Sequence, residues 1–329
     1  MIVWTLLEAV ILAVILLSGF AMLMLFERKI LGWFQYRLGP NRVGPWGLAQ
    51  PLADAIKLIM KEDIIPADAD RVVFWIAPVI SLFVALTAFA FIPIGPLLKG
   101  RAPWAMADPN AGLLAMLAIT SIGVYGIALG GWASQSKYAL LGSLRATAQM
   151  ISYELAMGMS VLGVIILTAA RLGNPAEALR FSSIVQSQIG HLWYVIPQFL
   201  GFIVFFISTV AESNRVPFDL PEAEAELVAG YSTEYSGIRF AMFAMAEYIN
   251  LITLSALVVT LYLGGWNGPA FLPGVVWFVI KVAILCFVSI WLRATLPRLR
   301  YDRLMSFGWK VMLPLAAVNL LVTAILVAM

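Results

Sequence analysis

Eight apolar runs of about twenty residues each constrain this chain most. They fall near 3–26, 72–93, 111–133, 151–170, 192–211, 240–264, 274–295 and 309–329. A helix rises about 1.5 Å per residue, so each run is long enough to cross a hydrocarbon layer of about 30 Å. With 62% hydrophobic residues, 12% charged and a mean hydropathy of +0.93, the chain has too little polar surface for a soluble domain. Barrel strands would alternate with period two, and these runs do not. The expected fold is an all-α membrane protein: about eight transmembrane helices in one polytopic domain over residues 1–329. The first run is not a secretory signal, since no basic region precedes it and Glu27-Arg28-Lys29 follows as a stop-transfer flank.

Charge gives the orientation. The odd-numbered loops and their borders (27–71, 133–149, 213–239, 297–310) carry fifteen Lys and Arg residues. The remaining loops carry four: Lys99, Arg101, Arg171 and Arg180. By the positive-inside rule the odd loops face the cytoplasm, and both termini lie on the outer, periplasmic side of a bacterial inner membrane. Within the first loop, Gln50, Asp54, Lys57 and Lys61 recur on one face of a helix, with Leu52, Ala55, Ile56 and Ile59 on another. This stripe fits a short amphipathic helix lying in the cytoplasmic interface, and a plain surface anchor is an equal reading of it.

Several classes of function are excluded for the chain by itself. One cysteine, Cys286, and one histidine, His191, cannot supply paired haem ligands or a four-thiolate iron–sulfur site, and no metal centre is expected. No GxGxxG or phosphate-cradling loop is present. A net charge of +3 without basic clusters is not a nucleic-acid footprint.

The chemistry concentrates in acids. The stretch 212–234 gathers Glu212, Asp219, Glu222, Glu224, Glu226 and Glu234 around the single Arg215, between two apolar runs. Pro217 and Pro221 keep its first part out of regular helix, and Asp219 with Glu222 reads as a capping box opening a new one. Glu154 lies near the start of the fourth run and Glu247 well inside the sixth, with no partner at helical spacing. A carboxylate beside hydrocarbon costs several kcal/mol unless protonated, hydrated or paired. One such acid is a satisfied packing group as readily as a functional one; several on different helices suit a proton or ion path. Lys281 and Arg293 lie in the seventh run with roles left open.

Two of these stretches together are specific. Gly47-Leu-Ala-Gln50-Pro51-Leu-Ala-Asp54-Ala-Ile-Lys57 and Pro217-Phe218-Asp219-Leu-Pro-Glu222-Ala-Glu224-Ala-Glu226 resemble the two signatures of the H-subunit family of proton-pumping NADH–quinone oxidoreductase, respiratory complex I. Gly39-Pro-Asn-Arg-Val-Gly44, Glu234-Tyr-Ser-Gly237 and Arg300-Tyr-Asp302 resemble the same family, end to end and with no departure at the motif positions. The resemblance implies a component at the heel of the membrane arm that lines the entrance for ubiquinone or menaquinone. It implies partners: peripheral quinone-site subunits, antiporter-like membrane subunits and lipid, with flavin and iron–sulfur clusters on the partners. It assigns Glu27, Arg28, Asp54, Arg215 and Phe218 to the quinone cavity and its rim. Glu154, Glu212, Asp219, Glu222, Glu224, Glu226, Glu234 and Glu247 become a proton path.

A physical mechanism is open to such a set. Two like charges 4 Å apart repel by about 4 kcal/mol at an effective dielectric of 20, so crowded carboxylates share protons and respond to local charge. Quinone reduction consumes protons and supplies such a change. Three other classes fit less of the sequence. A homologous anchor of a membrane-bound hydrogenase or ferredoxin-linked complex needs no quinone entrance. A free-standing ion-coupled transporter should show inverted repeats, and none is visible. A pure scaffold has no use for intramembrane glutamates.

Overall fold

The computed structural model describes residues 2–96, 103–219, 228–269 and 271–329. The helices run α1 Ile2–Phe34, α2 Gln50–Met60, α3 Arg71–Phe89, α4 Gly112–Ala133, α5 Lys137–Leu172, α6 Phe181–Gln186, α7 Phe199–Glu212, α8 Gly237–Tyr262, α9 Gly274–Thr295 and α10 Tyr301–Ala328. The last is continuous through a wide turn at Gly308–Met312. Seven of these are long and apolar enough to cross a membrane, and α7 is a shorter apolar helix. No strand is present among the described residues, only an isolated bridge between Gly95 and Trp104. The expected all-α membrane fold with its amphipathic helix is what forms.

Three boundaries differ from those the hydropathy suggests. Helix α1 has 33 residues, about 50 Å at the standard rise. Glu27, Arg28 and Lys29 therefore lie inside it and not in a flanking loop, so its last turns stand beyond the hydrocarbon or tilt within it. Helix α5 begins at Lys137, fourteen residues before the apolar run at 151. Its polar first turns rise at the charge-rich end, and Gly173, at φ 66°, closes it in the left-handed region. The fifth run loses its first part: residues 192–198 lie outside any helix and α7 has only 14 residues. Pro197 stands just ahead of it, lacking an amide donor and restricting the residue before. Gln198 then donates to Thr323 Oγ1 (2.6 Å) and accepts from Asn319 Nδ2 (2.7 Å), tying the start of α7 to α10.

Helix α8 is the centre of the bundle. In its most apolar stretch 61% of residues are buried inside the protein, against 17% for α1, which faces outward. Helices α3 and α4 approach closely where Gly126 faces Ser81: a methyl at Gly126 would stand 2.1 Å from Ser81 Oγ and 3.0 Å from its backbone nitrogen. One turn on, Gly130 meets the Phe243 ring of α8 instead, at 3.0 Å from a methyl placed there. Among the described residues Lys281 has no acidic partner, and it is half-buried. Its ammonium donates to the carbonyls of Leu263, Gly265 and Asn267 (2.7, 3.0 and 2.7 Å) and lies over the Trp193 ring. It caps the end of α8 with a cation from the neighbouring helix, where the helix dipole favours one.

Candidate functional site

Four charges meet at the charge-rich end of the bundle. The turn after α7 is built by backbone bonds from Arg215 N to Val210 O (3.4 Å) and from Phe218 N to Arg215 O (2.8 Å). Gln149 of α5, fully buried, donates to the carbonyls of Ala211 and Phe218 at 2.8 and 2.9 Å and holds the turn from both sides. Arg215 is thereby carried inward. Its Nη1 donates to Glu27 Oε2 of α1 (2.6 Å), and its Nε lies 2.8 Å from Glu247 Oε1 of α8. Arg293 of α9 pairs with the other oxygen of Glu27. The Arg215 guanidinium also lies 4.2 Å from the Tyr248 ring centroid.

Two acids and two bases from four parts of the chain form a neutral cluster. Burial works to lower the Arg215 pKa, yet Glu247 and Glu27 together raise it above the usual arginine value, so it is a permanent cation. Glu247 has no partner at helical spacing, as the sequence suggests, but it has one from elsewhere in the chain. The partner lies 32 positions earlier in the sequence and reaches it only through the turn.

Glu247 also faces a cavity of about 50 Å3 that it shares with Glu212, Asn250, Ser81, Thr120 and Asn214. That is room for several waters, at about 10–15 Å3 of such space for each, and the lining is polar enough to hold them. Glu212 is 5% exposed, and its Oε2 finds no hydrogen-bond partner among the described residues. Two of the expected path residues, Glu212 and Glu247, therefore line one cavity, while Glu154 of α5 is hydrogen-bonded to Ser121 of α4, next to the cavity-lining Thr120.

The others are dispersed. Asp219 pairs with Arg298 at 2.9 Å; burial pushes its carboxyl above the ordinary aspartate value, although Arg298 pulls it down. Glu234 is half-buried in the short turn before α8 and does not line the polar cavity. Glu222, Glu224 and Glu226, with the capping box at Asp219, lie outside the described residues.

The expected rim also divides. Arg28 Nη1 donates to Asp54 Oδ2 at 2.7 Å, and Gln50 Nε2 donates to Asp54 Oδ1 at 3.0 Å, joining α2 to α1. Arg28, Arg37, Arg42 and Gln50 border a basic hollow of about 510 Å3. Leu52, Ile56, Ile59 and Met60 of α2 are exposed on its other face. Phe218 is not part of this rim. It is buried against Tyr153, with ring centroids 5.5 Å apart, and borders a separate apolar cavity of about 560 Å3 between α7, α9 and α10.

An apolar cleft of about 480 Å3 runs between α1 and α9, floored by Ile252 of α8. It ends at Phe26, Ile30 and Ile290, beside Glu27 and one turn before Arg293. Sequence reasoning missed Gln149, Ser121 and Tyr248. A glutamine, a serine and a tyrosine are common in membrane helices, and only the folded contacts distinguish these three.

Comparison with known proteins agrees with the resemblance read from the motifs. The profile of the family described as NADH dehydrogenase matches residues 7–324. The H subunit of NADH-quinone oxidoreductase from Deinococcus deserti is 55% identical, covering 97% of this chain and 83% of its own. An H subunit of the same enzyme from Symbiobacterium thermophilum is 52% identical over 98% of this chain and 96% of its own. One from Geobacter metallireducens is 55% identical over 94% and 92%. Matches of this extent cover both signatures and every helix of the bundle, and the chain belongs to the NADH dehydrogenase family.

Proposed function

We propose that this chain, one polytopic unit, is the membrane subunit of a proton-translocating NADH–quinone oxidoreductase. In this reading it lines the quinone entrance and passes the consequence of quinone reduction to a buried proton path. One observation carries the reading: an apolar cleft reaches Leu23, Phe26 and Ile30, within one turn of Glu27 in the Glu27–Arg215–Glu247–Arg293 cluster, and Glu247 of that cluster lines the polar cavity it shares with Glu212. A quinone has a long apolar tail and a small polar head, and this arrangement offers space for the first beside charge for the second.

Charge change at the head is felt by Arg215 and Glu247, which already share their charge. Reduction consumes protons, and the acid set responds by redistributing its own. Glu247, Glu212 and Glu154 are the path, with Asp219 and the acids at 222, 224, 226 and 234 on its cytoplasmic side. Arg28 and Asp54 form the rim, and Phe218 lies on the wall behind the turn. Quinone is the substrate, ubiquinone or menaquinone. Flavin and iron–sulfur clusters, peripheral quinone-site subunits and antiporter-like subunits are supplied by the rest of the complex. A hydrogenase anchor, the other reading of the fold, is disfavoured because the three relatives are all named as components of quinone oxidoreductases.

The test is Asp54→Ala. The Arg28–Asp54 pair is partly exposed, with 45% and 17% of the two side chains accessible, so its loss should cost stability no more than about 1 kcal/mol. NADH-to-ferricyanide transfer should stay intact while quinone reduction falls about threefold or more, with the loss in KM. Normal reduction of long-chain quinone by assembled mutant complex would refute the entrance.

Orientation is tested separately. The fifteen-to-four bias puts α2 and Asp302 in the cytoplasm and both termini outside. With Cys286 replaced by serine, a cysteine at position 57 should resist an impermeant thiol reagent applied to intact cells. One at position 177 should react. The reverse pattern inverts the topology.

A further inference from the structure

Resting on the reading of α2 as the lip of a quinone entrance, we propose that Arg239 is a positioning residue for that lip, acting through Asp63. Helix α2 is pinned at both ends. Towards its start, Asp54 is tied to Arg28 of α1. Beyond its end, Arg239 in the first turn of α8 pairs with Asp63 through Nη2 and Oδ2 at 3.0 Å.

The second attachment is the more buried. Arg239 is 2% exposed, and its guanidinium carbon stands 3.8 Å from the Trp75 ring centroid and 5.2 Å from that of Phe74. Phe74 is stacked on Tyr235 at 4.0 Å. Ser236 Oγ donates to Glu62 O and accepts from Ile64 N, both at 3.2 Å, so the residues on either side of Asp63 are fixed as well. Gly237 adopts φ 55°, and a methyl there would stand 3.2 Å from Lys61 O, so the two backbones approach closely. The segment that ends α2 is therefore read out by the start of α8, the helix that carries Glu247. One rigid helix sets both the proton path and the height of the lip.

Nε and Nη1 of Arg239 find no acceptor among the described residues, so Asp63 alone neutralises the cation. Removing the acid strands a buried charge, and removing the cation releases the end of α2. A merely structural ion pair would lower the amount of complex and little else. A positioning pair changes how quinone is admitted by complex that has assembled.

The experiment uses whole complex in native membranes, with Arg239→Met, Arg239→Lys, Asp63→Asn, Asp63→Glu and the double variant Arg239→Met/Asp63→Asn. NADH-to-ferricyanide transfer measures assembly, and KM and kcat are measured for long- and short-chain quinones. Arg239→Met should raise KM for long-chain quinone about threefold or more at near-normal kcat per assembled complex, and the double variant should be no worse than the poorer single one. Arg239→Lys should restore most of the affinity. Asp63→Glu keeps the charge but lengthens the tie, so it gives the same KM shift even if Arg239→Met fails to assemble. Wild-type KM for long-chain quinone in assembled Arg239→Met or Asp63→Glu complex overturns the proposal, as does a loss in Asp63→Glu that is equal with ferricyanide. Asp54→Ala in the same membranes separates the two claims. If it shifts KM and the Arg239 and Asp63 variants do not, the latch falls and the entrance stands; if none shifts KM, both fall.

Discussion

Arg215→Met should leave little or no assembled complex in the membrane. Arg215 is 3% exposed, touches Glu27 and Glu247, and lies over Tyr248. Taking it away leaves the buried Glu27 paired with Arg293 alone and strips Glu247, whose side chain is 21% exposed, of its ion-pair partner. Breaking a buried pair costs about 3–5 kcal/mol, out of a total that is commonly about 5–15 kcal/mol. Arg215→Lys keeps the charge but not the planar fork that reaches two acids while stacking on a ring, so partial assembly is expected. The informative variant is double. Arg215→Met with Glu247→Gln leaves the Glu27–Arg293 pair neutral on its own and should recover part of the lost complex. Native gels of solubilised membranes read all three. Wild-type amounts of the single methionine variant would mean that the cluster is not a stability element, and no recovery in the double variant would mean that Glu247 is not the acid stranded.

Which parts of this were legible in the sequence follows from what each signal averages over. Hydropathy is a local sum, so the spans were visible, but it reports only the stretch inside the hydrocarbon. That is why the polar turns at Lys137–Met150 and the tail of α1 were missed. The stripe of α2 was visible because Gln50, Asp54 and Lys57 repeat at the helical period within eight residues. Glu247 was recognisable as costly, since cost depends on the residue and its surroundings. Its partner was not, because pairing with Arg215 depends on a turn held by Gln149, 66 positions before Arg215. The same holds for Arg239 and Asp63, which lie 176 positions apart. The motifs include Asp54 and lie beside Arg215 but contain none of Glu27, Arg215, Glu247 and Arg293; the folded contacts decide which acids are paired.

That distinction yields the second large effect. Glu247 is engaged with Arg215, whereas Glu212 sits beside the same cavity with Oε2 unpartnered among the described residues. A relay group must exchange a proton with its neighbours, and an acid free of a permanent cation does so at lower cost than one held in an ion pair. Glu212 shares water-sized space with Glu247, and among the described residues no cation pairs with it. Glu212→Gln preserves volume and hydrogen bonding and removes only the exchangeable proton, and no ion pair is broken. The variant should therefore assemble at wild-type level, in contrast to Arg215→Met. Proton transfer through positioned groups contributes about 10²–10⁴-fold in rate, and water can replace part of it, so pumping and the quinone reduction coupled to it should slow on the order of tenfold. Ferricyanide reduction, which bypasses the membrane, should not change. Proton uptake and NADH oxidation measured together in reconstituted vesicles decide the matter: wild-type values for both remove Glu212 from the path and leave it a buried polar group of the bundle.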